Sequence, residues 1–190
     1  MKARVGVLIS GRGSNMEALI RAAQAPDCPY GVALVLSNRP DAGGLELARS
    51  LGVEARAIDQ LQFSKDREAH ERAIDAALRE AGCEYVALAG YMRVLTPFLV
   101  GAWQDRMVNI HPSLLPKYPG LATHRRALEA GDAEAGCTVH LVTNDLDDGP
   151  ILGQAKVPIL PGDDEASLEK RVLAEEHRLY PTALAKLVKA

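Results

Sequence analysis

The sequence predicts an α/β domain with a doubly wound, mostly parallel sheet, helices on both faces and an antiparallel part near its C-terminus. Three observations carry this prediction. Val5-Gly-Val-Leu-Ile9, Val32-Ala-Leu-Val-Leu36 and Tyr85-Val-Ala-Leu-Ala89 are short apolar runs, as expected of strands covered on both faces. Stretches with helical spacing of apolar residues separate them, the rhythm of βαβ units. Glycines and a Thr-Pro pair mark the changeovers. The 190 residues, 47% hydrophobic and 25% charged, suit one domain.

Taken in order, the first strand is Arg4 to Ile9. Ser10-Gly-Arg-Gly-Ser-Asn15 follows, then a helix with Met16, Leu19 and Ile20 on one face. A strand, a Gly-rich turn and a helix start together form an anion cradle of backbone N–H groups. Gly11 and Gly13 allow close approach, and Ser14 or Asn15 can cap and donate. The turn is a poor dinucleotide fingerprint. Met16 replaces the third glycine, and the next strand ends in Ser37-Asn38 rather than an acid. A single phosphate, as on a ribose 5-phosphate, fits better; a turn without a ligand is the other reading.

Asp41 to Gly44 turns into a helix over roughly Leu45 to Leu51, and Gly52 stops it. Val53 to Ile58 reads as a third strand. Ser64 is expected to cap a long amphipathic helix reaching about Ala81, with Lys65, Asp66, Arg67, Glu68, Glu71 and Arg72 on its exposed face. Tyr91 to Leu95 forms the loop beyond the fourth strand. Thr96-Pro97 starts another helix. Met107 to His111 is a strand that Pro112 ends. Thr123 caps a short helix stopped by Gly131. Gly136–Val142 and Ile151–Val157 form an antiparallel pair joined by the acidic loop Asn144-Asp-Leu-Asp-Asp-Gly-Pro150. Asp163 to Ser167 opens the last helical region, which Pro181 must kink or divide.

Net charge is −3 and the sequence pI about 6.0. With no basic excess, nucleic acid is not expected as a partner. Cys28, Cys83 and Cys137 lie far apart and near no histidine cluster, which disfavours zinc and a redox dithiol. No metal is expected. No apolar run is long enough for a signal peptide or a membrane span. The expected location is the cytoplasm, and a homodimer remains open.

Alternate side chains of a strand share a face. Asn109 and His111 therefore point one way while Val108 and Ile110 point the other. Two readings stand on residue types alone: a turn-capping Asn with an ordinary half-buried His, or an amide and an imidazole held together for chemistry. In open α/β sheets ligands bind beyond the carboxyl ends of the strands. That places Gly11–Asn15, Tyr91–Leu95 and Asn109–His111 on one rim. Asp147, in the acidic loop, can fold over the strand end and orient His111, although Asp145, Asp147 and Asp148 read equally as a solvated turn or a loose Ca²⁺ loop, the latter without EF-hand spacing. The trio offers an oxyanion-stabilising amide, a general acid/base and its orienter. No nucleophile is evident, since Ser113 lies in no Gly-x-Ser-x-Gly elbow. Direct transfer between two substrates is therefore favoured over a covalent intermediate.

Ile9-Ser-Gly-Arg-Gly-Ser-Asn15, Leu88-Ala-Gly-Tyr-Met-Arg93, Asn109-Ile-His-Pro-Ser-Leu-Leu-Pro-Lys-Tyr-Pro-Gly120, Thr123-His124 and Leu146-Asp-Asp-Gly-Pro150 together resemble the phosphoribosylglycinamide formyltransferase family, from Val5 to about Pro181. The resemblance implies a single Rossmann-like formyltransferase domain over 1–190. Its 1–100 half would hold the phosphate, and its 101–190 half would carry catalysis and folate binding. It implies formyl transfer from 10-formyltetrahydrofolate, as co-substrate, to the amine of 5-phosphoribosylglycinamide in purine (IMP) synthesis. Asn109, His111 and Asp147 match the family's catalytic trio. Gly13, Ser14 and Asn15 match its phosphate site, and Glu176 a carboxylate on the glycinamide substrate. Arg67, Met92, Arg93, Val94, Leu95 and Asn109 match folate positions, with Thr143, Asn144, Asp145, Leu146 and Asp147 as the loop over the pterin. A cis peptide is implied at Leu115-Pro116.

Arg12 stands where the family often has a smaller residue. Asp148 replaces a common Gly, leaving open which aspartate meets His111. Methionyl-tRNA formyltransferase and formyltetrahydrofolate hydrolase share parts of the pattern. The first is expected to carry an RNA-binding domain and to lack the Gly13–Asn15 turn; the second is expected to begin with a regulatory domain. A non-catalytic nucleotide sensor would not need the full trio.

Overall fold

A computed structural model describes residues 1–190. Its centre is one seven-stranded sheet. The strands are β1 (Ala3–Ile9), β2 (Tyr30–Ser37), β3 (Ala55–Ala57), β4 (Tyr85–Leu88), β5 (Met107–His111), β6 (Glu134–Leu141) and β7 (Ile151–Pro158). Their order is β3-β2-β1-β4-β5-β6-β7. The first five pair in parallel, and β6 and β7 are antiparallel additions. The chain starts in the middle, winds outward to β3, then returns to β1 and builds the other way. A topological switch point thus falls between β1 and β4, where α/β sheets open a crevice.

The helices are α1 (Ser14–Ala23), α2 (Gly43–Ser50), α3 (Arg67–Glu80), α4 (Pro97–Ala102), α5 (Thr123–Glu129) and α6 (Glu165–Lys189). Strand alternation decides the two cores. Val5, Val7 and Ile9 of β1 pack with Met16, Leu19, Leu45 and Leu184 from α1, α2 and α6. Leu8 points through the sheet to Ile74, Leu78 and Leu99 from α3 and α4. Both faces are covered, as the unbroken apolar runs require. No helix is long and apolar enough to cross a membrane.

Several local expectations are corrected. Ser64 does not cap α3: its φ is 54°, and a preceding 3₁₀ turn spans Gln60–Phe63. Asp66 caps instead, accepting from Ala69 N–H at 2.9 Å. Strand β3 is shorter than Val53 to Ile58, with only three residues in its ladder. Gly13 and Ala122 occupy the N-cap positions of α1 and α5, both left-handed and without side-chain caps; Ser14 and Thr123 are already helical. Pro181 does not divide α6. Leu168, Val172 and Glu176 are buried before it and Tyr180, Ala183 and Leu184 around and after it, and that packing offsets the lost hydrogen bond and ring crowding of a helical proline, together about 3 kcal/mol.

Glu71 does not belong to the solvated face. It is 3% exposed, and its carboxylate accepts from Thr96 N–H at 2.8 Å and from the Thr96 hydroxyl. The start of α4 is thereby capped by a neighbouring helix rather than by its own Thr96 side chain.

Candidate active site

The carboxyl ends of β1, β4 and β5 form one rim, knit together by hydrogen bonds. Ser10 N–H donates to Gly90 carbonyl at 3.2 Å, and Met92 N–H donates to Ser10 Oγ at 2.8 Å. Ser10 Oγ donates to Asn38 Oδ1 at 2.6 Å, and Asn38 Nδ2 donates to Gln60 Oε1 at 2.8 Å. Asn38 is buried and engaged within the rim, consistent with a second strand that carries no ribose-binding acid.

At the end of β5, Asn109 lies beside Leu88 of β4 and opposite His140 of β6. His111 lies opposite Thr138. Because paired residues share a face, Asn109, His111, Thr138 and His140 form one polar face on two strands. Buried Thr138 anchors the irregular stretch after Pro112. Its hydroxyl donates to Ser113 carbonyl at 2.7 Å and accepts from Leu115 N–H at 3.1 Å. Gln154 donates to Leu115 carbonyl at 2.8 Å. The Leu115-Pro116 peptide is cis, as the resemblance implies. Ser113 Oγ donates to Lys117 carbonyl at 2.6 Å; its hydroxyl proton is occupied in holding the turn.

His111 is 6% exposed, with acceptors on both ring nitrogens. Nε2 faces Tyr118 carbonyl at 2.8 Å. A carbonyl only accepts, so Nε2 carries a proton. Nδ1 faces Asp147 Oδ2 at 3.5 Å, close enough for an ion pair and long for a hydrogen bond. Asp147, at φ 52°, also accepts from Gly120 N–H at 2.9 Å, which ties the acidic loop to the Pro112–Gly120 stretch. Asp148 is exposed. Geometry thus selects Asp147 as the aspartate that meets the imidazole. Gly149 lets the loop return, since a Cβ there would lie 1.7 Å from Leu141 carbonyl oxygen.

One residue of this cluster was not expected. His140 Nε2 lies 3.8 Å from Asp147 Oδ1 and is buried without a hydrogen-bond partner. Its Nδ1 faces Leu141 carbonyl at 2.8 Å. Burial lowers its pKa, while Leu141 and Asp147 act in the opposite direction. The Asp147 carboxylate is therefore flanked by two buried imidazoles. The signal lay in the alternation Thr138-Val139-His140, which puts His140 in the polar phase of β6. Register across from Asn109 was the missing information.

A cleft of about 110 Å³ opens beside the trio. Arg93, Val94, Leu95, Asn109 and Thr143 to Asp147 line it, with Tyr91 and His140. Two expected residues lie outside its lining. Met92 is 69% exposed, and Arg67 reaches the wall only by donating to Val94 carbonyl at 3.4 Å. The volume suits a fused-ring head rather than a whole drug-sized ligand. A larger hollow of about 620 Å³ lies behind Pro112 to Tyr118, against Thr123 and His124. No residue expected to bind substrate lines it, so the smaller cleft is the better candidate.

At the other end of the rim, Gly13 has φ 74°. Gly44 N–H donates to Gly11 carbonyl at 2.9 Å, pinning the turn to the start of α2. Ser14 and Asn15 begin α1, where N–H groups point outward. Asn15 Oδ1 is buried without a partner. Glu176 of α6 is 7% exposed. Burial pushes its pKa up to about 7, with the adjacent Asn15 side chain pulling the other way.

An amide, a paired imidazole and a head-sized cleft thus lie together on the rim of an α/β sheet. Residues 3–184 match the formyl transferase family, and the chain belongs to that family. Among solved structures it is similar to phosphoribosylglycinamide formyltransferase from Brucella melitensis, with TM-score 0.96 and 52% identity, covering 100% of this chain and 97% of that one. It also resembles glycinamide ribonucleotide transformylase 1 from Symbiobacterium toebii, with TM-score 0.95 and 46% identity over 99% of this chain and 88% of that one. The Escherichia coli phosphoribosylglycinamide formyltransferase is 46% identical over 179 residues, 94% of this chain and 84% of that protein. The trifunctional purine biosynthetic protein adenosine-3 of Drosophila melanogaster is 49% identical over 187 residues; the match spans 97% of this chain and 14% of that protein.

Proposed function

We propose that this chain transfers a formyl group from 10-formyltetrahydrofolate to the amine of 5-phosphoribosylglycinamide, a step of purine synthesis in the cytoplasm. The observation that carries the reading is the meeting of Asn109, His111 and Asp147 beside the Arg93–Leu95 and Thr143–Asp147 cleft. Residues 1–100 would hold the ribose phosphate at Gly13, Ser14 and Asn15. Residues 101–190 would supply the chemistry and the loop over the pterin, and Glu176 would meet the glycinamide.

In this mechanism the substrate amine attacks the formyl carbon and a tetrahedral oxyanion forms. The Asn109 amide and the imidazolium of His111 stabilise it. One proton leaves the attacking nitrogen and one reaches the departing folate nitrogen. The carbon–nitrogen bond to folate then breaks, giving tetrahydrofolate and the formylated amide. Asp147 faces Nδ1 and holds the imidazole in place. Ser113 is assigned no part, because its hydroxyl faces a carbonyl, that of Lys117, and no base that could activate it.

The test is formyl-donor turnover. Consumption of 10-formyltetrahydrofolate is expected only with phosphoribosylglycinamide present. Turnover with water alone would assign a hydrolase instead, and binding of both compounds without turnover would assign a sensing module.

A further inference from the structure

His70 of α3 is 1% exposed and lies outside the trio, yet it is joined to the cleft. Its Nε2 faces Ile58 carbonyl at 2.7 Å. A carbonyl cannot donate, so Nε2 carries a proton. In the neutral ring Nδ1 is then an acceptor, and Arg93 Nη1 lies 3.1 Å from it. The Phe63 ring stands edge-on at 5.3 Å between centroids and fixes the plane of the imidazole. Arg93 lines the cleft. It is half-buried, forms no ion pair with any carboxylate, and makes no hydrogen bond except the one to His70. A guanidinium held this way, with its other N–H groups unspent, is set to donate to a ligand.

We infer that His70 is a positioning residue: its neutral Nε2–H tautomer holds the Arg93 guanidinium at the cleft wall in the orientation that receives the folate co-substrate. This rests on the folate reading of the cleft. Protonation of His70 would place a second N–H against Arg93, replacing an acceptor with a like charge. The groups facing His70 are Arg93 from the loop after β4, Glu71 on its own helix and Asp59 before the 3₁₀ turn. Burial is the largest influence and keeps the ring below the ordinary histidine range; the hydrogen bond to Ile58 carbonyl opposes it, Arg93 acts with it, and Glu71 and Asp59 oppose it. The neutral, accepting form is therefore the resting state near pH 7, and acid dissolves the contact.

Binding of 10-formyltetrahydrofolate, without the second substrate, is measured by calorimetry from pH 7.5 downward. Wild type, Arg93→Met, His70→Gln, His70→Leu and the Arg93→Met/His70→Leu double variant are compared. Glutamine keeps one donor and one acceptor and does not titrate. Wild-type affinity is expected to fall more steeply with acid than that of Arg93→Met or His70→Gln. Arg93→Met and His70→Leu are each expected to bind about tenfold more weakly at pH 7.5, the loss of one charge-assisted hydrogen bond. The double variant is expected to be no weaker than Arg93→Met, since both remove one interaction. An unchanged acid slope in Arg93→Met and His70→Gln, or losses that multiply in the double variant, overturns the inference. Should His70→Leu fail to fold, wild type against Arg93→Met decides by slope alone. Absence of wild-type binding at every pH would instead overturn the folate reading of the cleft.

Discussion

At Gly13 the rim is made of backbone, and at His111 it is made of side chains. The Gly11–Asn15 turn is contiguous in sequence and held by the Gly44 N–H bond to Gly11 carbonyl. Its candidate ligand groups are the N–H groups of a helix start. The Asn109, His111 and Asp147 cluster instead draws on β5 and on a loop 36 residues further along, fixed by Thr138, Tyr118 and Gly120. A backbone site tolerates changes of side chain but not of conformation. A converged side-chain site fails when one functional group is removed, even if the fold is untouched. That difference sets the expected size of each substitution.

The largest effect is expected at His111. His111→Ala should lower kcat by about 10²–10⁴, the usual contribution of general acid–base catalysis, while folate binding stays largely intact. Steady-state kinetics check this, and wild-type kcat would remove His111 from the mechanism. Asp147→Asn tests the same cluster one step out, because it keeps the side chain's shape and removes the charge facing Nδ1. It should lower kcat far more than Asp148→Asn. The exposed Asp148 should change activity by no more than about twofold, in the range of a surface substitution.

Glu176 lies next to the backbone site but belongs to α6, and it sharpens the contrast through pH. Its folded pKa, about 7, lies above the unfolded carboxyl value of 4.5. Between these values the folded state binds more protons, so stability falls as pH rises from about 4.5 to 7. Above that window the penalty for a buried charge is complete, on the order of 3 kcal/mol. Glu176→Gln should therefore raise Tm at pH 8 and abolish this part of the pH dependence, while weakening the glycinamide substrate. Thermal melts at pH 4.5, 6 and 8 read the slope. An unchanged slope in Glu176→Gln would mean that the carboxyl titrates as an exposed one.

How much was legible in the sequence follows the same division. Strands β1, β2 and β4 are legible because each is an apolar run with its own stop, whereas the bounds of β3, with Glu54 before it and Arg56 within it, are not. The Asn109–His111 pair was readable because strand alternation is local. His140 was not, because its place depends on the register of β6 against β5, and register is a pairing property. Glu71 was misread for a related reason: its spacing on α3 matches the charged face, and only the packing of α4 shows the Thr96 N–H that it satisfies. Ser64 has the residue type of a cap, but the Gln60–Phe63 turn precedes it and Asp66 is the N-cap. The choice between Asp147 and Asp148 also needed the Gly120 N–H, which comes from another segment.

The smallest effect, and the most direct test of a backbone-built site, is expected at Gly13. A left-handed φ of 74° costs a residue with a Cβ about 1–2 kcal/mol. The added Cβ would also meet Met16 Cε at 3.0 Å and Gly44 Cα at 3.2 Å. The methionine can swing aside, but the Gly44 backbone is pinned by its bond to Gly11. Gly13→Ala should thus lower stability by about the strain energy and shift the turn itself. The KM for phosphoribosylglycinamide should rise, with the KM for 10-formyltetrahydrofolate nearly unchanged, because the folate cleft shares no residue with the turn. Gly11→Ala is the matched control. Nothing lies within 4 Å of a Cβ at Gly11, and its φ is not among the positive ones. It should leave stability and the KM for 10-formyltetrahydrofolate close to wild type. If Gly13→Ala raised both KM values equally, the two ends of the rim would be one mechanical unit, and the separation between a backbone site and a side-chain site would fail.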